Sequence, residues 1–108
     1  MPKNLSGSIN LFRTKEFGGW FSGLPDKTQL IVNARLQRIE NEGHFGTINS
    51  FDGLIELKWK SGLRVYTHRH EATLIIVLLG GNKNGQSKDI RQAQKILKSI
   101  QKNGFDEA

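Results

Sequence analysis

Polar and apolar residues alternate along two neighbouring stretches of the chain, residues 55–60 and 63–68. Alternate side chains of a strand face opposite ways, so each stretch predicts one apolar and one polar face. The predicted polar face carries Glu56, Lys58, Lys60, Arg64, Tyr66 and His68. Lysine and arginine bind phosphate oxygens, and a carboxylate or an imidazole can move a proton. This polar face is therefore the candidate functional site.

The connection between the two stretches decides which residues lie opposite each other. A slip of one residue would turn every side chain to the other face, so the register must bring the two apolar faces together. A three-residue loop over residues 61–63 does so, whereas a two-residue turn at 61–62 would place lysines among valines. The predicted cross-strand pairs are Lys60 with Arg64, Lys58 with Tyr66, and Glu56 with His68.

Helix caps and hydrophobic spacing predict the elements that precede this hairpin. Thr14 can cap a short helix over residues 15–22, and a second helix of about four turns runs from Pro25-Asp26 to Gly43. Residues 8–13 can add an edge strand, and residues 44–52 are predicted to form a loop. The broad apolar face of the second helix is predicted to contain Leu30, Ile31, Val32, Ala34, Leu36 and Ile39.

A buried strand and a helix are predicted after the hairpin. Residues 72–79 are apolar at nearly every position, which is typical of a central strand covered on both faces. A glycine-rich turn over residues 80–85 leads to a last helix, which Ser87 caps and which ends near Lys102. Two N-terminal helices, a meander of strands and a C-terminal helix together indicate an α+β fold.

Composition and charge restrict the class of protein. The 108 residues suit a single domain, 1–108, with a core over about residues 8–102 and loose ends. The chain has no cysteine, which excludes disulfides and cysteine-based zinc sites. It has neither a signal-like segment nor an apolar run long enough for a membrane, so a cytoplasmic protein is expected. The net charge of +6 favours a polyanionic partner such as nucleic acid, with an acidic protein as the alternative.

A series of short motifs runs through about residues 14–100. They are Glu16-Phe17, Trp20, Leu24, Asp26, Gln29, Arg35-Leu36, Arg38, Glu40, Phe45-Gly46, Gly53, Glu56-Leu57, Arg64-Val65-Tyr66, Gly80-Gly81-Asn82-Lys83, Gln86 and Asp89-Ile90. This ordered set resembles the RelE/ParE superfamily of toxins, and more narrowly its HigB-like branch of phage-derived addiction module killer proteins. The resemblance implies a RelE-like fold, in which an N-terminal helical hairpin packs on a small, mainly antiparallel sheet.

The resemblance also implies the toxin of a type II toxin–antitoxin system. In this branch the toxin is usually a metal-independent endoribonuclease, which needs no cofactor. It cleaves mRNA on the ribosome and inhibits translation, until an antitoxin, typically a helix-turn-helix protein, blocks it. Relatives such as ParE instead inhibit DNA gyrase, and an inactive relative would only bind nucleic acid or an antitoxin. The chain departs from the family pattern in its hairpin loop, which is shorter before Arg64 and has Leu63 where an aromatic residue is usual. It also has His68-Arg69-His70 where another tyrosine is usual, and Asn82 where aspartate is commoner.

Cleavage of RNA requires deprotonation of the 2′-hydroxyl, stabilisation of charge on the phosphorane and protonation of the 5′-oxygen. On the resemblance, the predicted catalytic residues are Arg64, Lys58, Glu56, Tyr66 and Lys83, and the predicted RNA-binding residues are Lys60, His68, Gln86, Lys88 and Arg91. Arg64 would stabilise charge, because a guanidinium matches two phosphate oxygens. The proton acceptor stays open among Glu56, Lys58 and Lys60, with His68 as a further proton carrier.

Each candidate also has a structural explanation. Glu56 can pair with a cation across the sheet, and strand lysines can form a solvated face. His68 and His70 are spaced to chelate a metal, but only Glu71 is a nearby third ligand, so no metal is expected. The turn over residues 80–85 lacks the P-loop pattern. At an exposed strand position, Arg64→Ala would cost only about 0.5 kcal/mol of stability.

Overall fold

A five-stranded sheet lies between two helical layers in the computed structural model, which describes residues 9–105. In chain order the elements are β1 (Asn10–Arg13), α1 (Lys15–Ser22), α2 (Asp26–Glu42), β2 (Ile48–Phe51), β3 (Leu54–Lys58), β4 (Leu63–Glu71), β5 (Leu74–Asn82), a 3-10 turn (Lys83–Gly85) and α3 (Gln86–Asn103). The strand order is β1-β5-β4-β3-β2, with β1 parallel to β5 and the other neighbours antiparallel. The predicted α+β fold is confirmed.

The helical hairpin α1–α2 covers one face of the sheet, and α3 covers the other. The core under the hairpin includes Phe17, Val32, Leu36, Ile39, Leu57, Val65, Ile75 and Val77. The core under α3 includes Leu54, Tyr66, Ile76, Leu78, Ala93, Ile96, Leu97 and Ile100. Because both faces are covered, β5 is apolar at almost every position. Within residues 9–105, no helix is both long and apolar enough to span a bilayer.

Cap residues begin and end the first two helices where the sequence predicts. Thr14 Oγ1 accepts a hydrogen bond from the Phe17 N–H at 3.0 Å, and its hydroxyl donates to the Leu78 carbonyl at 2.8 Å. Thr14 therefore caps α1 and also attaches it to β5. Gly43 ends α2 at a φ of 67°, in the left-handed region that favours glycine. The predicted edge strand is β1. Of the ends predicted to be loose, residues 1–7 and 105–108, only Phe105 lies within the described residues. For Phe105 the prediction is wrong, because its ring packs edge-on against Phe12 with centroids 4.7 Å apart.

The β3–β4 hairpin has a different register from the predicted one. The observed pairs are Glu56 with Tyr66, Leu57 with Val65, and Lys58 with Arg64. The connecting loop comprises residues 60–62, because the Trp59 N–H donates to the Leu63 carbonyl at 3.1 Å and the Gly62 N–H donates to the Trp59 carbonyl at 3.0 Å. Gly62 takes the last loop position with a φ of 104°, a conformation that favours glycine. The predicted pairs are therefore wrong by two residues, but an even shift keeps every side chain on its predicted face.

Other predictions about single elements are also wrong. Residues 48–51 form β2 rather than a loop, because they pair with β3. The central strand is β4, and β5 is the interior strand beside the edge strand β1. Ser87 does not cap α3; the Asn82 side chain instead accepts a hydrogen bond from the Asn84 N–H at 2.8 Å and begins the 3-10 turn. Only part of the predicted apolar face of α2 is buried, since Leu30 and Ile31 are 70% and 46% exposed.

Gly80 and Gly81 allow close packing on opposite faces of β5. A Cβ atom on Gly80 would lie 2.2 Å from Cε3 of Trp20, and a Cβ atom on Gly81 would lie 2.0 Å from Oδ2 of Asp89. Real Cβ atoms do not approach other heavy atoms so closely. The glycine pair therefore lets α1 contact the sheet on one side and lets α3 contact it on the other.

Candidate functional site

Four cationic side chains converge where β3 ends, β4 begins and β5 ends. They are those of Lys58, Lys60, Arg64 and Lys83, which line a depression of about 250 Å³ together with Thr47, Trp59 and Gly62. We call these seven residues the basic depression. None of the seven has an acidic side chain, so the surface attracts anions.

The hairpin loop holds Lys83 in the basic depression. The backbone N–H of Lys83 donates to the Gly62 carbonyl at 2.8 Å. A Cβ atom on Gly62 would lie 3.4 Å from Cγ and Cδ of Lys83, so the lysine stem runs directly past the glycine. The short loop thus places a cation from the end of β5 beside the cations of the hairpin.

A buried polar cluster adjoins the basic depression, and it consists of Glu56, Arg64, Tyr66 and Gln86. The Glu56 carboxylate is fully buried. Its Oε1 accepts a hydrogen bond from Asn49 Nδ2 at 3.1 Å, and its Oε2 accepts one from Gln86 Nε2 at 2.5 Å. Arg64 Nε lies 3.7 Å from the same Oε2. These partners allow a charged carboxylate to be buried, and they occupy both of its oxygens.

Arg64 belongs to both the basic depression and the buried polar cluster. Its Nη1 donates to the carbonyls of Trp59 at 3.1 Å and Leu63 at 2.9 Å. Its Nε is buried and has no hydrogen-bond partner among the described residues. Nη2 is therefore the guanidinium nitrogen that remains for an anion in the basic depression. Because only 9% of Arg64 is exposed, its orientation is fixed before any ligand binds.

Tyr66 lies in the core under α3. Its hydroxyl is buried and meets no hydrogen-bond partner of acceptable geometry among residues 9–105. Burial raises the pKa of the Tyr66 phenol, and the negative charges of Glu56 and Asp89 raise it further. Burial also raises the pKa of Asp89, whose carboxylate packs against Gly81. Tyr66 therefore stays protonated over the physiological range.

Arg35 of α2 supports the rim of the basic depression from the opposite side of the sheet. Its Nε donates to the Phe45 carbonyl at 2.9 Å, Nη2 donates to the Thr47 carbonyl at 2.6 Å, and Nη1 donates to the Lys58 carbonyl. Its guanidinium also lies 4.4 Å from the centroid of the Trp59 ring. Partial burial lowers the pKa of Arg35. A single side chain therefore binds three carbonyls and joins two backbone segments, residues 45–47 and the end of β3, at the depression.

Comparison with known proteins supplies the family. Residues 19–101 match the family described as Phage derived protein Gp49-like. The chain belongs to the Gp49-like family. A Haemophilus influenzae (strain Rd) protein named only "Uncharacterized protein" is 36% identical over 97 residues, covering 86% of this chain and 97% of that one.

The Gp49-like chain also resembles a solved structure. The free E. coli toxin RelE, as a double arginine-to-alanine mutant, matches it with a TM-score of 0.64 at 14% identity. The match covers 82% of this chain and 96% of the RelE chain. The fold is RelE-like, as the sequence predicts.

The predicted site residues of this Gp49-like protein lie in different places. Lys58, Lys60, Arg64 and Lys83 line the basic depression, whereas Glu56, Tyr66 and Gln86 belong, with Arg64, to the buried polar cluster. Lys88 and Arg91 are exposed on α3 and do not line the depression. The expectation of one open polar face is therefore wrong. Helix α3 covers the part of that face that carries Glu56 and Tyr66.

His68 lies apart from the basic depression. Its Nδ1 is 2.6 Å from the Gly53 carbonyl, which identifies Nδ1 as the protonated nitrogen. The ring borders a second pocket of about 340 Å³, lined also by residues of α3 such as Gln94 and Lys98. The rings of His68 and His70 have centroids 6.5 Å apart. No group of three or more metal-ligating side chains occurs among residues 9–105.

Sequence reasoning missed four residues that shape the site: Thr47, Trp59, Gly62 and Arg35. Thr47 falls in the region predicted to be a loop without a role, and Trp59 has the parity of the apolar face. Trp59 directly follows β3, where a side chain can border both faces of the sheet, whereas the sequence predicted that the strand continues to residue 60. Arg35 belongs to the family motifs, but its contacts gave no local signal, since its partners lie 10 to 23 residues away along the chain.

Proposed function

We propose that this Gp49-like protein is the toxin of a type II toxin–antitoxin system and a metal-independent endoribonuclease that cleaves mRNA on the translating ribosome. The observation that carries the proposal is the basic depression, in which four cations converge on a RelE-like fold. Membership of a phage-derived family and likeness to a protein named as a toxin support it. The assignment to the HigB-like branch rests on the sequence motifs.

The basic depression suits a phosphodiester in the act of cleavage. Nη2 of Arg64 can donate to a non-bridging oxygen, and the ammonium groups of Lys60 and Lys83 can hold the phosphates on either side. As the phosphorane forms, its negative charge grows while these cations stay in place. Preorganised charge of this kind stabilises a transition state more than a ground state.

Proton transfer in this proposal falls to a lysine. Both Glu56 oxygens accept hydrogen bonds from side-chain amides, so this carboxylate is an unsuitable base, and its role is to position Arg64. Tyr66 is buried and protonated, which makes its role structural. Lys58, half-buried and paired with Arg64 across the strands, is the candidate to take the 2′-proton, and a neighbouring ammonium group of the basic depression can give a proton to the 5′-oxygen as its bond to phosphorus breaks.

The partners follow from the same surface. An antitoxin that blocks the toxin would cover the basic depression, and negative charge on the antitoxin would complement it. On the sequence resemblance, this antitoxin is a helix-turn-helix protein. The substrate-side partners are the ribosome and mRNA, and the exposed Lys88 and Arg91 on α3 are positioned to contact ribosomal RNA.

Expression in a growing bacterium, followed by mapping of RNA 5′ ends, tests the proposed function. The wild-type chain should arrest growth and produce new 5′ ends inside translated frames, and Lys58→Ala should produce neither. Lys95→Ala is the matched control, since it removes the same charge from an exposed position on α3 outside the depression. Growth arrest with intact mRNA and induced DNA damage would instead support the ParE-like inhibition of gyrase. Harmless expression would support an inactive relative.

A further inference from the structure

Trp59 borders the basic depression although it has the parity of the apolar face of β3. It directly follows the last residue of the strand, and it is half-buried rather than buried. Trp59 therefore packs against the core under α1–α2 and also lines the depression. It is the one aromatic side chain among the seven residues of the basic depression.

We infer that Trp59 is a stacking platform for an RNA nucleobase, an inference that rests on the proposed function and gives its site a base-binding position. Phosphate-binding cations beside an aromatic ring form the usual combination of a single-strand nucleic-acid site. The cations hold the charged backbone of the RNA, and the aromatic face accepts a base whatever its sequence. In the basic depression, Trp59 stands among Lys58, Lys60 and Arg64, which supply that charge.

The surroundings of Trp59 hold its ring in place before RNA binds. The guanidinium of Arg35 lies over the ring at 4.4 Å from the centroid. That guanidinium is itself fixed by the carbonyls of Phe45, Thr47 and Lys58. Arg64 Nη1 also binds the Trp59 carbonyl at 3.1 Å. A ring held in this way loses little conformational freedom on binding, which favours stacking.

Two oligonucleotides separate stacking from charge. One is a short single-stranded 2′-O-methyl RNA, which resists cleavage, and the other has the same length and phosphates but an abasic backbone. The wild-type protein should bind the base-containing strand more tightly, by about 5- to 150-fold for one stacked base. Trp59→Leu should lose this preference while its affinity for the abasic strand stays unchanged. Lys60→Ala, the charge control, should weaken binding to both strands by the same factor.

A second measurement uses Trp59 itself as the reporter. The chain has two tryptophans, and Trp20 packs against Gly80 away from the depression. The base-containing strand should quench the fluorescence of the wild-type protein and of Lys60→Ala at saturation. It should not quench the fluorescence of Trp59→Phe, a variant that keeps an aromatic ring and so preserves the packing.

The outcomes distinguish this inference from the proposed function. Equal affinity of the wild-type protein for the two strands, no binding to either strand, or quenching that persists in Trp59→Phe would overturn the platform. These results would not contradict the proposed nuclease activity if RNA is still cut in cells. Base-dependent binding without any RNA cleavage would support the platform and overturn the nuclease.

Discussion

Removing Arg64 and Glu56 singly and together tests whether the buried polar cluster is one coupled unit. Arg64→Ala would leave the Glu56 carboxylate, which is 0% exposed, without its counter-charge. Breaking a buried ion pair from one side costs about 3–5 kcal/mol of the free energy of unfolding. The Nε–Oε2 distance of 3.7 Å is longer than a hydrogen bond, so we expect the lower end of that range, about 3 kcal/mol.

Glu56→Ala should cost less than Arg64→Ala. It leaves the Arg64 guanidinium without a carboxylate, but Arg64 is 9% exposed and keeps some contact with water. The amides of Asn49 and Gln86 also lose their acceptor, which gives an expected loss of about 2 kcal/mol. The double variant removes both charges, so its loss should be smaller than the sum of the single losses by about 1–2 kcal/mol.

Urea denaturation followed by far-ultraviolet circular dichroism measures these free energies for the wild type and the three variants. Glu56→Gln is the control, because it keeps an acceptor oxygen and the side-chain volume while it removes the charge. A destabilisation of about 3 kcal/mol should lower the melting temperature of a domain of this size by at least about 10 °C. Single losses that add to the double loss within about 0.5 kcal/mol would refute the coupling.

Two further predictions concern Tyr66 and Gly80. Tyr66 is the only tyrosine, and its folded pKa is raised, so the unfolded chain loses the phenolic proton first and stability should fall as the pH rises above about 10. Tyrosinate absorbance should be absent from the folded protein at about pH 11. Tyr66→Phe should remove this part of the pH dependence of stability. Ionisation of Tyr66 near pH 10 in the folded protein would contradict the prediction. Gly80→Ala should destabilise the protein by about 1–3 kcal/mol, because the new Cβ collides with the Trp20 ring. The control is Gly19→Ala in α1, where no atom lies within 4 Å of the new Cβ. It should stabilise the protein by about 0.5–1 kcal/mol. Equal changes in the free energy of unfolding for the two variants in denaturation would exclude the collision.

The sequence predicted the elements whose signals are local. The Thr14 cap, the left-handed Gly43 and the apolar run that became β5 each depend on neighbouring residues. The face of each hairpin side chain was also correct, since parity survives a two-residue error in register. The register itself depends on whether Gly62 is the middle or the last residue of the three-residue loop. The sequence is compatible with both positions.

The exposure of the candidate site could not be predicted in the same way. A strand face that carries Glu56 and Tyr66 is expected to be solvated from the sequence alone. Only the position of α3 shows that this face is covered. The stability cost expected for Arg64→Ala was therefore too small, because Arg64 is buried against Glu56. Contacts between distant residues, such as Arg35 with Trp59, leave no periodic pattern that a single sequence can reveal.

The most direct test of the central claim uses purified translating ribosomes, a defined mRNA and primer extension to detect cleavage. Lys83→Ala removes one cation from the basic depression, and it keeps the backbone hydrogen bond to Gly62 that holds the loop. The wild-type protein and Lys95→Ala should cut the mRNA at the same positions, and Lys83→Ala should cut it at least about tenfold more slowly, for about 1.4 kcal/mol of lost transition-state stabilisation. Absence of cleavage by the wild-type protein, or equal rates for Lys83→Ala and Lys95→Ala, would contradict the assignment of the basic depression as a ribonuclease site.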